Sequence, residues 1–306
     1  MHGLLRSRLF WGALGVLLVA VALPLGVDGY ILGLLTMAYY FAVFAMSWDL
    51  LFGFAGEVNF GPTFLVGLGG YGAGMMNSLF GLPIWICVIF GAALAVVGGL
   101  LLAVPALKLT GPYFGLITLV AVLMLQQFVT VFAHWTGGEI GLSVPDVLSI
   151  DDQTNYYIAL GFMAVSGFIL FVLSRSALGL ILQACGQDSV QAQALGFNVA
   201  KHKLAAFCVS ALFSGLAGAM LVFYEGTASP GTLIDIAVGV QVIIAAVLGG
   251  RRTILGAAIG AVVLIAAGEV LRPLGQLSTF VVSAVALVVI LFLPAGLMGA
   301  AMRHRS

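Results

Sequence analysis

Polar side chains along this chain gather mostly in the gaps between apolar runs, and many of the runs approach the roughly twenty residues a helix needs to cross a hydrocarbon core. The runs are Leu9–Gly26, Tyr30–Phe52, Gly61–Phe80, Ile84–Leu107, Tyr113–Ala133, Tyr156–Leu173, Leu204–Tyr224, Ile236–Leu248, Ile254–Leu271 and Leu277–Leu293. They predict an all-α polytopic membrane protein of about ten spanning helices. Ile236–Leu248 is too short to span upright and needs Gly249 or the preceding loop. The rest of the chain offers no polar stretch long enough to bury a core of its own, so residues 1–306 read as a single transmembrane domain.

Composition agrees with that pattern. Hydrophobic side chains make up 62% of the 306 residues, charged ones 7%, and the mean hydropathy is +1.22. Soluble domains carry about a quarter charged residues. Three cysteines, Cys87, Cys185 and Cys208, all in or beside apolar stretches, exclude a secreted disulfide scaffold. Lys plus Arg equal Asp plus Glu at eleven each, and no basic stripe for nucleic acid exists.

The charges also give an orientation. With a cytoplasmic N-terminus and ten spans, Arg6, Arg8, Lys108, Arg175, Lys201, Lys203, Arg251, Arg252, Arg303 and Arg305 fall inside, and only Arg272 falls outside. Both termini are then cytoplasmic. The outer loops collect Asp28, Glu139, Asp146, Asp151, Asp152 and Glu225, and Tyr30, Trp85, Trp135, Tyr156 and Tyr157 sit where interfacial aromatic anchors belong. The first run has a rival reading as a cleaved signal peptide with Ala20-Val21-Ala22 as the small-x-small site, but the apolar stretch continues past it.

Two polar segments stand out, Trp135–Asn155 outside and Arg175–Lys203 inside. In the inner one, Asp188-Ser189-Val190-Gln191 has the form of a capping box, with Asp188 accepting from first-turn amides and Gln191 reaching back. Gly196 supplies a C-terminal stop after Leu195. A helix of about two turns is too short to be stable alone, so it needs a docking surface. Val190, Ala194 and Leu195 are the faces it would offer, while Ala192, Ala194 and Gly196 keep one edge low. A plain connector lying on its own protein is the alternative.

Between the second and third runs, Gly53-Phe54-Ala55-Gly56-Glu57-Val58-Asn59-Phe60-Gly61-Pro62 breaks helical periodicity. Irregular backbone near membrane depth is tolerated where protein or a wet cavity satisfies it, and in transporters such breaks often flank the substrate site. Asp49, Gly56, Glu57 and Asn59 are therefore candidates for a polar route, the alternative being a solvated turn with Pro62 at a helix start. Gln126, Ser214 and Gln241 are further pathway candidates, although such groups more often hydrogen-bond between helices. Glu269 and Arg272 read as an i,i+3 ion pair. Gly70-x-x-x-Gly74, Ser214-x-x-x-Gly218 and Gly256-x-x-x-Gly260 mark close helix contacts, and Glu225 and Asp235 bracket an outer loop.

No phosphate loop occurs: Lys108, Lys201 and Lys203 all follow residues other than glycine. No His-Glu-x-x-His motif or Gly-x-Ser-x-Gly elbow is present, and His2, His134, His202 and His304 are scattered. No catalytic or metal-ligating set is expected in this chain.

The segment QACGQDSVQAQALGFNVAKHK (Gln183–Lys203) and the LAAFCVSALFSGLAGAM that follows resemble the cytoplasmic coupling loop and next helix of LivM-type permeases, the membrane subunits of ABC importers for branched-chain amino acids and related solutes. Three more stretches match in order: LLFGFAGEVNFGPTFLVGLGGYGAG (Leu50–Gly74), LKLTGPYFGLITL (Leu107–Leu119) and VQVIIAAVLGGRRTILGAAIGA (Val240–Ala261). The chain departs from the family at Cys185, Gly186 and Gln187, where charged residues are usual, and at Glu57–Pro62, where Gln-Leu-Ser-Leu-Gly-His is usual.

The resemblance implies a permease subunit in a prokaryotic cytoplasmic membrane, with residues 175–203 as the coupling loop and Asp188, Gln191, Ala192, Gln193, Ala194, Leu195 and Gly196 as its ATPase-coupling residues. It implies a second, LivH-like permease, two ATPase subunits that bind ATP and Mg, and an extracytoplasmic solute-binding protein; this chain itself carries no cofactor. Few fixed charges in the spans suit a small neutral or zwitterionic solute. Branched-chain amino acids are the first expectation, urea or short amides the second. A stand-alone secondary transporter or channel is the reading from a different class, and the spans offer few of the carboxylates it needs.

Overall fold

A computed structural model describes residues 18–107 and 112–275, with isolated positions 15, 277, 280, 281, 284 and 296–298. The long helices are α1 (Gly29–Asp49, continued by a π-helical turn Leu50–Phe54), α2 (Pro62–Phe80), α3 (Ile84–Ala106), α4 (Pro112–Val131) and α5 (Asp152–Arg175). They are followed by α6 (Ala177–Gln187), α7 (Ser189–Ala194), α8 (Val199–Glu225), α9 (Ile236–Gly249) and α10 (Ile254–Val270). The only sheet among the described residues pairs β1 (Leu142–Ser143) with β2 (Thr227–Ala228), antiparallel.

Eight of the expected runs are helices within a few residues of their expected bounds. Leu9–Gly26 is described only in its second half, and Leu277–Leu293 lies almost wholly outside the described residues. Six of the described helices are long and apolar enough to cross a membrane. The glycine-rich α2, at 19 residues, and the 17-residue α10 are not among the six. The short run Ile236–Leu248 gains length from the preceding turn, so that Pro230–Gly249 counts as one span.

Helices α1 and α8 form the centre. In their spanning windows 61% and 72% of residues are buried, against 33% for α3 and α5. Helices α2, α3 and α8 pack together as one group, and α1 gathers α5, α9 and α10 as another. Lipid tails are as apolar as leucine, so such helices associate through close backbone contact. A Cβ on Gly218 would lie 2.2 Å from the Val66 carbonyl oxygen, and one on Gly260 2.0 Å from that of Ala245. Two of the expected small-residue motifs thus hold α8 on α2 and α10 on α9. Ser47 Oγ and Ser214 Oγ, 2.8 Å apart, add a hydrogen bond between α1 and α8.

The polar loops separate to opposite ends. At one end the 137–151 segment is fastened to α2 by Asn77 Nδ2 donating to Asp146 Oδ2 at 2.7 Å, and to the end of α8 by the Val144 amide donating to the Gly226 carbonyl at 2.9 Å. Glu269 and Arg272 are joined there at 3.2 Å, as expected, with Tyr30 as a third member. Asp235 is a local cap, accepting from the Ala237 amide at 2.8 Å. Trp85, Tyr30 and Trp135 are exposed as aromatic anchors should be, but Tyr156 is not. Its hydroxyl donates to the Ala20 carbonyl at 2.7 Å and lies 2.8 Å from Tyr39 Oη, because a phenol inside a bundle needs a partner and finds one there.

Candidate functional site

The other end carries the candidate coupling loop. Asp188 Oδ1 accepts from the amides of Val190 at 2.9 Å and Gln191 at 3.0 Å, starting α7 as the sequence predicts. The reciprocal half of the capping box is replaced. The Asp188 amide donates to the Ala184 carbonyl at 3.1 Å, because α6 runs straight up to the cap and uses the donor that Gln191 was expected to reach. At the far end Gly196, with φ +89°, lets its amide reach the Gln193 carbonyl and the Phe197 amide reach that of Ala192. This is the two-bond Schellman stop that the glycine predicts.

Only one side of α7 is used internally. Ala192 is buried in a small cluster with Cys185 and Val199. Gln191, Gln193 and Ala194 are exposed, and Val190 and Leu195 are 74% and 75% exposed. A six-residue helix displaying two bare aliphatic side chains beside a low alanine edge has a face that can enter a groove on a partner.

Helix α6 connects this face to the glycine-rich break. Gly186 lies so close to the 54–56 backbone that a Cβ on it would be 2.6 Å from the Phe54 carbonyl oxygen and 2.9 Å from the Gly56 nitrogen. Gly56, at φ +75°, presents its own backbone to Gly186 in return. One residue on, Glu57 Oε1 accepts from Lys203 Nζ at 2.5 Å, and the two side chains are only 17% and 15% exposed. A backbone-to-backbone contact and an ion pair therefore fasten the 175–203 segment to the turn between α1 and α2.

That turn holds two more candidates. Asn59 is buried, with its side-chain Oδ1 accepting from the Gly61 amide at 2.8 Å and its carbonyl accepting from Trp48 Nε1 at 2.7 Å. Asp49 is fully buried at the end of α1. Its Oδ1 accepts from the Arg252 amide at 3.1 Å, and its Oδ2 has no hydrogen-bond partner among the described residues. Arg252 Nε donates to the Gly53 carbonyl at 2.9 Å, so the α9–α10 turn is clamped to the π-helical end of α1. Single π turns within helices occur often at functional sites.

Asp49, Gly56, Glu57 and Asn59 are thus brought to one neighbourhood. Ser214 is buried against Ser47 in the bundle, and Gln126 and Gln241 are half-buried on α4 and α9. Lys203, Arg252, Trp48 and Gly186 join these candidates in space although the sequence alone does not single them out as site residues. Lys203 was legible only as one of several inner basic residues, and nothing in local spacing links it to Glu57. No group of three His, Cys, Asp or Glu side chains among the described residues could hold a metal ion.

Comparison with known proteins assigns the chain. The model of the family described as "Branched-chain amino acid transport system / permease component" matches residues 30–294. The high-affinity branched-chain amino acid transport system permease protein LivM of Salmonella typhimurium is 25% identical across 96% of this chain and 75% of its own length. LivH of Escherichia coli K12 is 25% identical across 86% of this chain and 92% of its own length, and BraD of Pseudomonas aeruginosa is 32% identical over 45% of each. With most of the sequence inside the family match, and the 175–203 segment and the glycine-rich turn both within it, this chain belongs to the permease-component family of branched-chain amino acid transport systems.

Proposed function

We propose that this chain is the membrane subunit of an ABC importer that carries branched-chain amino acids, working with a second permease, two ATPase subunits and an extracytoplasmic binding protein. The observation that carries the reading is α7: a capped helix with Val190 and Leu195 bare, joined through Gly186 and Lys203 to the turn holding Asp49, Glu57 and Asn59. ATPase movement pushes on α7. Helix α6 passes the displacement to the 53–61 turn by backbone contact, which a rigid packed interface transmits rather than absorbs. The turn shifts the ends of α1 and α2 and opens the route alternately to either side. Both termini and the α6–α7 loop are cytoplasmic in this reading, and about ten helices span the inner membrane of a prokaryote.

Nucleotide and Mg belong to the ATPase chains, and this subunit contributes no bond-breaking chemistry. Low charge in the spans supports a neutral or zwitterionic solute. The test is uptake of labelled leucine, isoleucine and valine by the reconstituted importer with its own binding protein. ATP-dependent uptake of these solutes supports the proposal. Preference for urea or short amides would move the substrate class, and transport by this chain alone in liposomes without an ATPase would overturn the mechanism.

A further inference from the structure

A cavity of about 350 Å³ opens between the end of α5, helix α6 and the α9–α10 turn. Its lining includes Ser174, Arg175, Leu180, Gln183, Arg252 and Ile254. Among the described residues neither arginine is engaged by a carboxylate side chain at ion-pair distance. The salt bridges among the described residues are Lys203–Glu57 and Arg272–Glu269. Arg252 gives Nε to the Gly53 carbonyl, and its contact with the Asp49 carboxylate is through the backbone amide. The Arg175 guanidinium rests over the Phe171 ring at 5.3 Å and has no hydrogen-bond acceptor among the described residues. Two arginines in the lining of one cavity, among apolar side chains such as Phe54, Phe171 and Leu180, are the residue type that takes a phosphate by charge-assisted hydrogen bonds while an acyl chain meets the apolar part.

The surroundings of the cavity select the phosphate's source. Arg175 ends the spanning helix α5, at the depth where basic side chains meet lipid headgroups. Immediately before it Val165, Phe168, Ile169 and Val172 are exposed at i, i+3, i+4 and i+7, one continuous apolar stripe leading to the cavity mouth. Leu180 continues the apolar rim on α6 and is 63% exposed. We propose that this cavity binds the headgroup phosphate of an anionic glycerophospholipid, whose acyl chain lies along the α5 stripe. The bound lipid then sits against Phe54 and Arg252, at the turn that couples α1 to α10, and membrane composition acts on the transport cycle there. The site does not depend on which solute the importer carries.

The experiment uses the full chain, purified in detergent with its companion subunits and equilibrated with equal phosphatidylglycerol and phosphatidylcholine, and retained lipid is measured by mass spectrometry. The expected result is preferential retention of phosphatidylglycerol, a loss of affinity of about tenfold in Arg175→Gln, the size of a lost charge-assisted hydrogen bond, and a smaller loss in Arg175→Lys, which keeps the charge but not the fork. Arg175 is exposed, so these variants should fold; Arg252 is left intact because its side chain and amide hold the α1 end. Equal retention of the two lipids, or unchanged retention in Arg175→Gln, would overturn the proposal. So would displacement of the lipid by inorganic phosphate at matching concentration, which would make this a free-anion site. Retention by the two permease subunits alone but not by the complex with its ATPases would also overturn it, and would identify the cavity as a contact for an acidic protein side chain.

Discussion

Glu57 and Lys203 lie 146 positions apart in the chain and 2.5 Å apart in space, and their side chains are only 17% and 15% open to water. Removing one partner of such a pair leaves a poorly solvated charge, which costs more than removing both. Glu57→Gln and Lys203→Met are each expected to lower thermal stability and uptake. The double variant should be less damaged than the sum, with a coupling of about 1–2 kcal/mol by double-mutant cycle; strictly additive effects would show that the pair does not act as a unit. Local chemistry at this scale was legible in the sequence. The Asp188 cap and the Gly196 stop follow from neighbours two or three residues away. Long-range chemistry was not: Glu57 stood out as an acid near a glycine-rich break, yet its partner lies on another helix that no periodicity connects to it. Gln191 was misread for a related reason, because the donor it was assigned is already used by α6.

At the scale of elements, hydropathy located eight described helices but misplaced the starts whose first turns are polar. Helix α8 starts at Val199 instead of Leu204 because Asn198 Oδ1 accepts from the Lys201 amide at 3.0 Å, so that Lys201, His202 and Lys203 form a helical turn that an apolar pattern cannot register. Helix α5 likewise starts at Asp152, after an Asp151 cap on the Thr154 amide. The contact of α6 with the 54–56 backbone was also hidden, since Gly186 looked like lost charge and proves to be required space. Gly186→Val would drive its side chain into that backbone. The expected cost is about 1–3 kcal/mol of overpacking, with uptake reduced even where the ATPase still binds. Val190→Asp with Leu195→Asp is the complementary case. Both side chains are exposed, so stability should stay within about 0.5 kcal/mol of the parent while co-purification of the ATPase subunits is lost. If the ATPases still co-purify with that variant, α7 is a connector and not the docking element.

For the molecule as a whole, the equal numbers of acidic and basic residues conceal an uneven distribution. Arg175, Lys201, Lys203, Arg251 and Arg252 gather at the end that carries α7, whereas Asp146, Asp151, Asp152 and Glu225 gather at the end with the β1–β2 pair. Basic residues are retained on the cytoplasmic side during insertion, so this sorting supports the proposed orientation of the bundle, with α7 inward. The same ends are distinguishable chemically. Ile140, at the β1 end, is 95% exposed and Gln193 on α7 is exposed, while Cys87 and Cys185 are buried and Cys208 is half-buried. Background labelling of the parent chain by a membrane-impermeant maleimide should therefore be low. Ile140→Cys should react in intact cells or right-side-out vesicles. Gln193→Cys should react only after permeabilisation or in inverted vesicles. The opposite pattern would put α7 outside, where no ATPase could reach it, and the coupling route through Gly186 and Lys203 would have no source of motion; labelling of both sites from one side would mean that α5, the one span between the two loops, does not cross the membrane.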